Sequence, residues 1–182
     1  MSTEEQRRWR EGVVELIPAL RAFAWSLSHN ASDADDLVQD TLIKAWTHRD
    51  KFELGTNLRA WLFTILRNTY YTEIRKRRRE NDGMAALAQQ DTNIGPSQEW
   101  SATLTSLKDA LALLPDDQRE ALVLVGAAGL SYEEAAEVCG CALGTIKSRV
   151  NRARAKLLTL MGAEATEDVV AGDPVALSAS RA

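Results

Sequence analysis

Near the end of the chain, Lys147, Ser148, Asn151 and Arg152 stand at i, i+1, i+4 and i+5. On a helix that spacing gathers them, with Ala155, into one stripe. Arginine pairs with guanine edges, asparagine with adenine edges, and lysine and serine with phosphate, so the stripe suits a DNA major groove. The segment Lys147–Lys156 holds five cations and no acid, and an earlier segment, Arg67–Arg79, holds six cations against Glu73. Two basic clusters in different halves of one chain point to a polyanion spanned by both.

The chemistry of an enzyme is not expected. No Ser/His/Asp constellation or glycine-rich phosphate loop is present, and the LGTNL stretch at 54–58 has one glycine, too few for a phosphate cradle. Cys139 and Cys141 form a lone C-x-C pair, with His29 and His48 about a hundred residues upstream. That spacing supports no zinc site, and a disulfide between residues two apart would be strained. Buried thiols are expected instead, with no catalytic group, no metal and no cofactor.

Of the 182 residues 45% are apolar and 26% charged, with five Trp and four Pro, a globular composition. The net charge of −4 is unevenly spread: residues 1–80 carry +2, 81–100 carry −3, 101–162 are neutral and 163–182 carry −3. The acidic remainder disfavours indiscriminate nucleic-acid binding and implies a partner that holds the protein on DNA. The longest apolar run, Ala121–Leu130, is too short to cross a bilayer, and MSTEEQRRWRE opens no signal peptide. A cytoplasmic location without membrane attachment is expected.

The elements that must position these residues are helical almost throughout. Val13, Ile17, Leu20, Ala24 and Leu27 share one face of a helix from about Arg10 to Ser28. Ser32 and Asp35 resemble a capping box for a second helix, ending near His48, whose inner face carries Leu37, Val38, Thr41, Leu42, Ala45 and Trp46. A third starts at Thr56 or Asn57, turns Leu58, Trp61, Leu62, Ile65, Leu66 and Thr69 inward and runs into the basic tract. Trp25, Trp46 and Trp61 fall at core-facing positions. Residues 81–100 lose periodicity and read as an acidic linker. Helical spacing resumes at Leu104, Leu107, Leu111 and Leu114, Pro115 breaks it, and Asp116 or Asp117 caps a helix to Gly126 or Gly129.

From Ser131 the signals converge on a helix-turn-helix. Ser131 and Glu134 form a capping box, Ala135 and Ala136 allow a close crossing, and Gly140 supplies a left-handed turn residue. Thr145 is the expected cap of the next helix, with Ile146, Val150, Ala153 and Leu157 inward. The expected fold is all-α: two small helical domains, 1–80 and 101–162, joined by a flexible acidic linker at 81–100. The second contains the helix-turn-helix, and 163–182 form a disordered tail.

The stretches DADDLVQDTLIKAW, FELGTNLRAWLFTILRNTYYTEIRKRRR, LPDDQREALVL and SYEEAAEVCGCALGTIKSRVNRARAKL together resemble the extracytoplasmic-function (group IV) sigma factors of bacterial RNA polymerase. The wording is nearest the alphaproteobacterial general-stress branch, and the resemblance spans about residues 10–160 in order. It implies a region 2-like first domain that binds the −10 promoter element and core polymerase, and a region 4-like second domain that binds the −35 element. By matching positions, Asp36, Gln39, Asp40 and Trp46 would meet the clamp helices of the largest polymerase subunit. Acids at 36 and 40 also suit a helix N-terminus, and Trp46 suits a core equally well.

For the −10 element the resemblance implies Asn68 as a pocket residue for a flipped base, with the Glu53–Asn57 loop over it. Arg67, Arg75, Lys76, Arg77, Arg78 and Arg79 would follow the phosphates. Trp61 reads as core more than as a stacking platform. For the −35 element it implies Lys147, Ser148, Asn151 and Arg152, with Arg149 beside them. The stress branch further implies a small anti-sigma protein as partner, the chain being a monomer or a heterodimer with it. Neither an N-terminal autoinhibitory domain nor a receiver domain is expected. A sigma-like decoy that binds an anti-sigma protein without DNA is the alternative, but it has no need of Asn68, Arg75–Arg79 or the Lys147–Arg152 stripe. An ordinary helix-turn-helix regulator leaves DLVQDTLIKAW without a role.

Overall fold

The computed structural model describes residues 3–53, 55–81 and 107–161. All its regular elements are helices: α1 Thr3–Ser28, α2 Ala31–Thr47, a 3₁₀ turn Arg49–Lys51, α3 Leu58–Asn81, α4 Asp116–Gly126, α5 Tyr132–Cys139 and α6 Leu143–Leu160. Residues 107–112 are also helical. The linker and tail expected from the sequence lie largely outside the described residues.

In the first half, α1, α2 and α3 pack on one another. Helix α1 begins seven residues before the expected start and buries Trp9, Val13, Leu16, Leu20, Phe23, Ala24 and Leu27, whereas Ile17 is only half-buried. Trp9 extends the apolar stripe by one further turn, and the Glu4 and Glu5 carboxylates suit the helix N-terminus. Leu62, Phe63 and Leu66 of α3 are fully buried, and the Phe63 ring lies 5.3 Å from that of Phe23. Tyr70 ties α3 to α1 by donating to the Leu27 carbonyl at 2.6 Å, and Lys44 ties α2 to α3 through the Thr69 hydroxyl at 3.1 Å.

Several caps differ from expectation. Asn30, not Ser32, caps α2: its side-chain oxygen accepts from the Ser32 and Asp33 amides at 2.8 and 3.1 Å. His29 before it adopts φ 58°, the left-handed turn that separates α1 from α2. Pro115, rather than either aspartate, precedes α4, which leaves the Asp116 carboxylate to accept from Arg119. Helix α6 starts two residues before Thr145, behind Ala142, without a side-chain cap. Trp46 is also not core, being 52% exposed, with its ring 5.8 Å from buried Trp9 and the Arg49 guanidinium over it at 4.9 Å.

The second half follows the helix-turn-helix expectation. Ser131 and Glu134 complete the capping box, and Gly140 ends α5 at φ 64°, ψ 40°. Ala135 is fully buried at the crossing and Ile146, Val150 and Ala153 form the inner face of α6. The halves do not stand apart. Helix α1 packs on α4 and α3 on α5, and one contiguous apolar core runs through both.

Candidate nucleic-acid interface

Helix α6 separates two functions by face. Ile146, Val150 and Ala153 are fully buried, while Lys147, Asn151 and Arg152 are exposed on the other side and Ser148 is half-buried. The Ser148 hydroxyl donates to the Thr145 carbonyl at 3.0 Å, and Lys147 lies 5.9 Å from the Tyr132 ring centre. Arg149 departs from the stripe: its guanidinium turns back to Asp117 at 3.0 Å and to the Cys141 sulfur at 3.8 Å. The exposed face thus offers two cations and an amide, on a helix whose backbone is fixed by the turn beneath it.

Helix α3 carries the second basic set, divided in two. Asn68, Arg75, Lys76, Arg77 and Arg78 are exposed. Asn57 and Arg67 instead meet the other half. Asn57 caps α3 by accepting from the Ala60 amide at 3.1 Å, and its NH₂ donates to the Glu134 carboxylate. Arg67 Nε lies 2.5 Å from Glu120 Oε1, its guanidinium sits 4.8 Å from the Tyr71 ring centre, and the Tyr71 hydroxyl donates to the other Glu120 oxygen at 3.4 Å. Burial opposes charge on Arg67, but the hydrogen bond and charge of Glu120 outweigh it and raise its pKa. Burial and then Glu120 push the Tyr71 hydroxyl up to about 12.

Two family models match the chain, Sigma-70 region 2 over residues 13–80 and Sigma-70 region 4 over residues 104–157. The chain is 51% identical to the ECF RNA polymerase sigma factor EcfG of Rhodopseudomonas palustris over 166 residues, which cover 91% of this chain and 92% of that one. It belongs to the ECF RNA polymerase sigma factors. The sigma factor CnrH of Cupriavidus metallidurans is 36% identical over 87% of this sigma factor and 89% of its own length. Among solved structures, the sigma factor RpoE of Bartonella quintana, crystallised with the anti-sigma factor NepR, aligns with TM-score 0.79 and 51% identity, over 87% of this chain and 99% of that one. CnrH in complex with the cytosolic domain of CnrY aligns with TM-score 0.64 and 32% identity. A sigma factor of the general-stress type is not an enzyme, and no cluster of metal-ligating side chains occurs among the described residues. No helix among them is long and apolar enough to cross a membrane.

On α2 of this sigma factor, Asp36, Gln39, Asp40 and Trp46 are all exposed, and Ile43 is 64% exposed. Both thiols are free. Cys139 is buried, and burial, with Glu120 nearby, pushes its thiol up to about 12. Cys141 is half-buried.

Sequence reasoning missed the charges at the seam between regions 2 and 4. Arg119 and Glu120 are each 2% exposed. Arg119 Nε donates to the Ser26 carbonyl at 2.5 Å, Nη1 to the Leu114 carbonyl at 2.9 Å and Nη2 to Asp116 at 2.6 Å. Arg59 donates across the seam to the Ala128 carbonyl at 2.5 Å. Buried charges are rarely left unpaired. The available signal was an Arg-Glu pair beside a segment, Ala121 to Val125, that is apolar throughout.

Proposed function

We propose that this sigma factor directs core RNA polymerase to stress-response promoters, with region 2 recognising and opening the −10 element and region 4 reading the −35 element. Region 4 does so through Lys147, Ser148, Asn151 and Arg152. Arg149 sets the helix against Asp117 and reaches phosphate only if that pair opens. Region 2 holds a flipped −10 base at Asn68, with Asn57 at the rim and Arg67, Arg75, Lys76, Arg77 and Arg78 along the strand. Asp36, Gln39, Asp40 and Trp46 dock on the clamp helices of the largest polymerase subunit. A small anti-sigma protein controls the factor, as the complexes of RpoE with NepR and of CnrH with CnrY suggest by analogy.

The observation that carries this reading is α6: its inner face is fully buried, so Lys147, Asn151 and Arg152 project together from a fixed helix, as groove readout requires. Run-off transcription with core polymerase on a library of the host's promoter fragments tests it. Transcripts that appear only with the protein, sharing −10 and −35 sequences, are expected. No transcripts, with tight binding to a small anti-sigma protein, would make the chain a decoy.

A further inference from the structure

We infer that a cavity of about 290 Å³, lined by α3, the end of α1 and the start of α4, binds a free nucleoside monophosphate, with the phosphate on Arg75 and Arg78 and the base against an apolar wall.

The basic tract of α3 is not one surface. Arg77 lines a groove with Asp33, Asp36, Asp40 and Glu73, where carboxylates outnumber it. Tyr71, Ile74, Arg75 and Arg78 stand at i, i+3, i+4 and i+7, one stripe of the helix, and line a different cavity. Leu27 of α1 and Asp116 and Arg119 of α4 complete that lining with Tyr70.

Charge selects the ligand. Asp116, the one carboxylate in the lining, already accepts from Arg119 at 2.6 Å, so that pair cancels. Arg75 and Arg78 are exposed, and neither has a carboxylate partner among the described residues. Arg75 Nε donates to the Tyr71 carbonyl at 3.2 Å, which anchors the side chain and leaves its terminal nitrogens to a ligand. The unbalanced charge is two guanidinium cations, which match a phosphate monoester of about −1.5 to −2.

The rest of the lining selects a flat apolar group. Leu27 and Ile74 stand with the Tyr70 and Tyr71 rings, whose centres lie 5.3 Å apart at 73°. Both phenol hydroxyls are engaged elsewhere, Tyr70 on the Leu27 carbonyl at 2.6 Å and Tyr71 on Glu120 at 3.4 Å. The rings therefore offer hydrocarbon, the surface on which a nucleobase rests. The volume sits at the lower limit of small-molecule sites, roughly 300 Å³, which suits one nucleotide and not two. Arg75 and Arg78 also belong to the −10 strand set proposed above, so on that reading the bound nucleotide and the strand compete for them.

Isothermal titration calorimetry of the full free chain with adenosine monophosphate tests the site without any promoter. One-to-one binding is expected, with inorganic phosphate weaker by about tenfold or more because it leaves the apolar wall uncovered. Arg78→Ala is expected to weaken the nucleotide about tenfold. Arg77→Ala removes the same charge from the neighbouring groove and is expected to change it by less than about twofold. Both residues are exposed, so both variants are expected to keep the fold. Ile74→Ser is expected to weaken the nucleotide about fivefold and phosphate not at all. No nucleotide binding, phosphate binding as tight as the nucleotide, or equal losses from Arg77→Ala and Arg78→Ala would overturn the proposal. A single-stranded oligothymidylate separates a free nucleotide from one within a DNA strand. If Ile74→Ser weakens the strand as much as the nucleotide, the cavity serves the strand and the free ligand is overturned. If the nucleotide binds as expected while the wild type yields no promoter transcripts, the site stands and only its competition with DNA falls.

Discussion

Helices α3 and α6 both carry a basic face over an apolar one, yet they present it differently. On α6 Lys147, Asn151 and Arg152 are exposed on the face opposite the buried one, while Arg149 turns back to Asp117. On α3 the first cation of the set, Arg67, is half-buried on Glu120, while Arg75 to Arg78 stay exposed. The difference shows that a basic residue's availability is decided by which carboxylate the fold brings opposite it, not by the cations around it.

The largest effect with which to probe that comparison is in the core shared by both regions. Phe63→Ala is expected to cost about 3–5 kcal/mol, because a fully buried ring leaves a cavity that helices cannot close. If the apolar core is continuous, urea unfolding followed by far-UV dichroism should show one transition shifted as a whole. Two separated transitions, with only the region 2 step moved, would break the picture of a joined core.

Next come Arg149 and Arg152 of α6. Arg152→Ala is expected to weaken −35 binding by roughly 1–3 kcal/mol, about five- to 150-fold, and to relax base preference there. Arg149→Ala, which removes the partner of Asp117, should leave base preference intact. Footprinting with both variants decides it, and equal relaxation by both would place Arg149 on the reading face after all.

A smaller effect concerns the α1–α2 turn. Asn30→Ala removes the acceptor for two amides and is expected to cost about 1 kcal/mol, seen as a lowered denaturation midpoint, whereas Ser32→Ala should be nearly silent.

The smallest is a pH effect. Burial and then the Arg119 charge lower the His29 pKa, with Asp116 partly opposing them. The folded protein thus binds this proton less readily than the unfolded chain does. The stability His29 permits is complete above its ordinary value of about 6.5 and declines as pH falls through it. Tm should drop between pH 7.5 and 5.5, and His29→Asn, which tolerates the left-handed backbone, should flatten that part of the decline.

What could be read from the sequence was local. The Ser131–Glu134 box and the Gly140 turn need only neighbours three or four residues away, and both are present. The inner faces of α3 and α6 repeat at helical spacing, and their central residues are buried. Trp46 was not legible, because a residue at the margin of a helical stripe faces core or solvent according to how the next helix lies. The cap of α2 was misplaced because Asn30 and Ser32 are both good caps, and the left-handed His29 chooses between them. The seam was invisible for a different reason: Arg119 meets Ser26 across 93 residues and Arg67 meets Glu120 across 53, and no periodicity encodes such a pairing.

Gly129 carries a consequence of its own. Its φ is +69°, and a Cβ there would lie 2.6 Å from Arg59 Nη1. A side chain there is strained by the left-handed backbone and pushes the Arg59 guanidinium away from the Ala128 carbonyl, so the glycine joins the shape of the α4–α5 turn to the grip between the two halves.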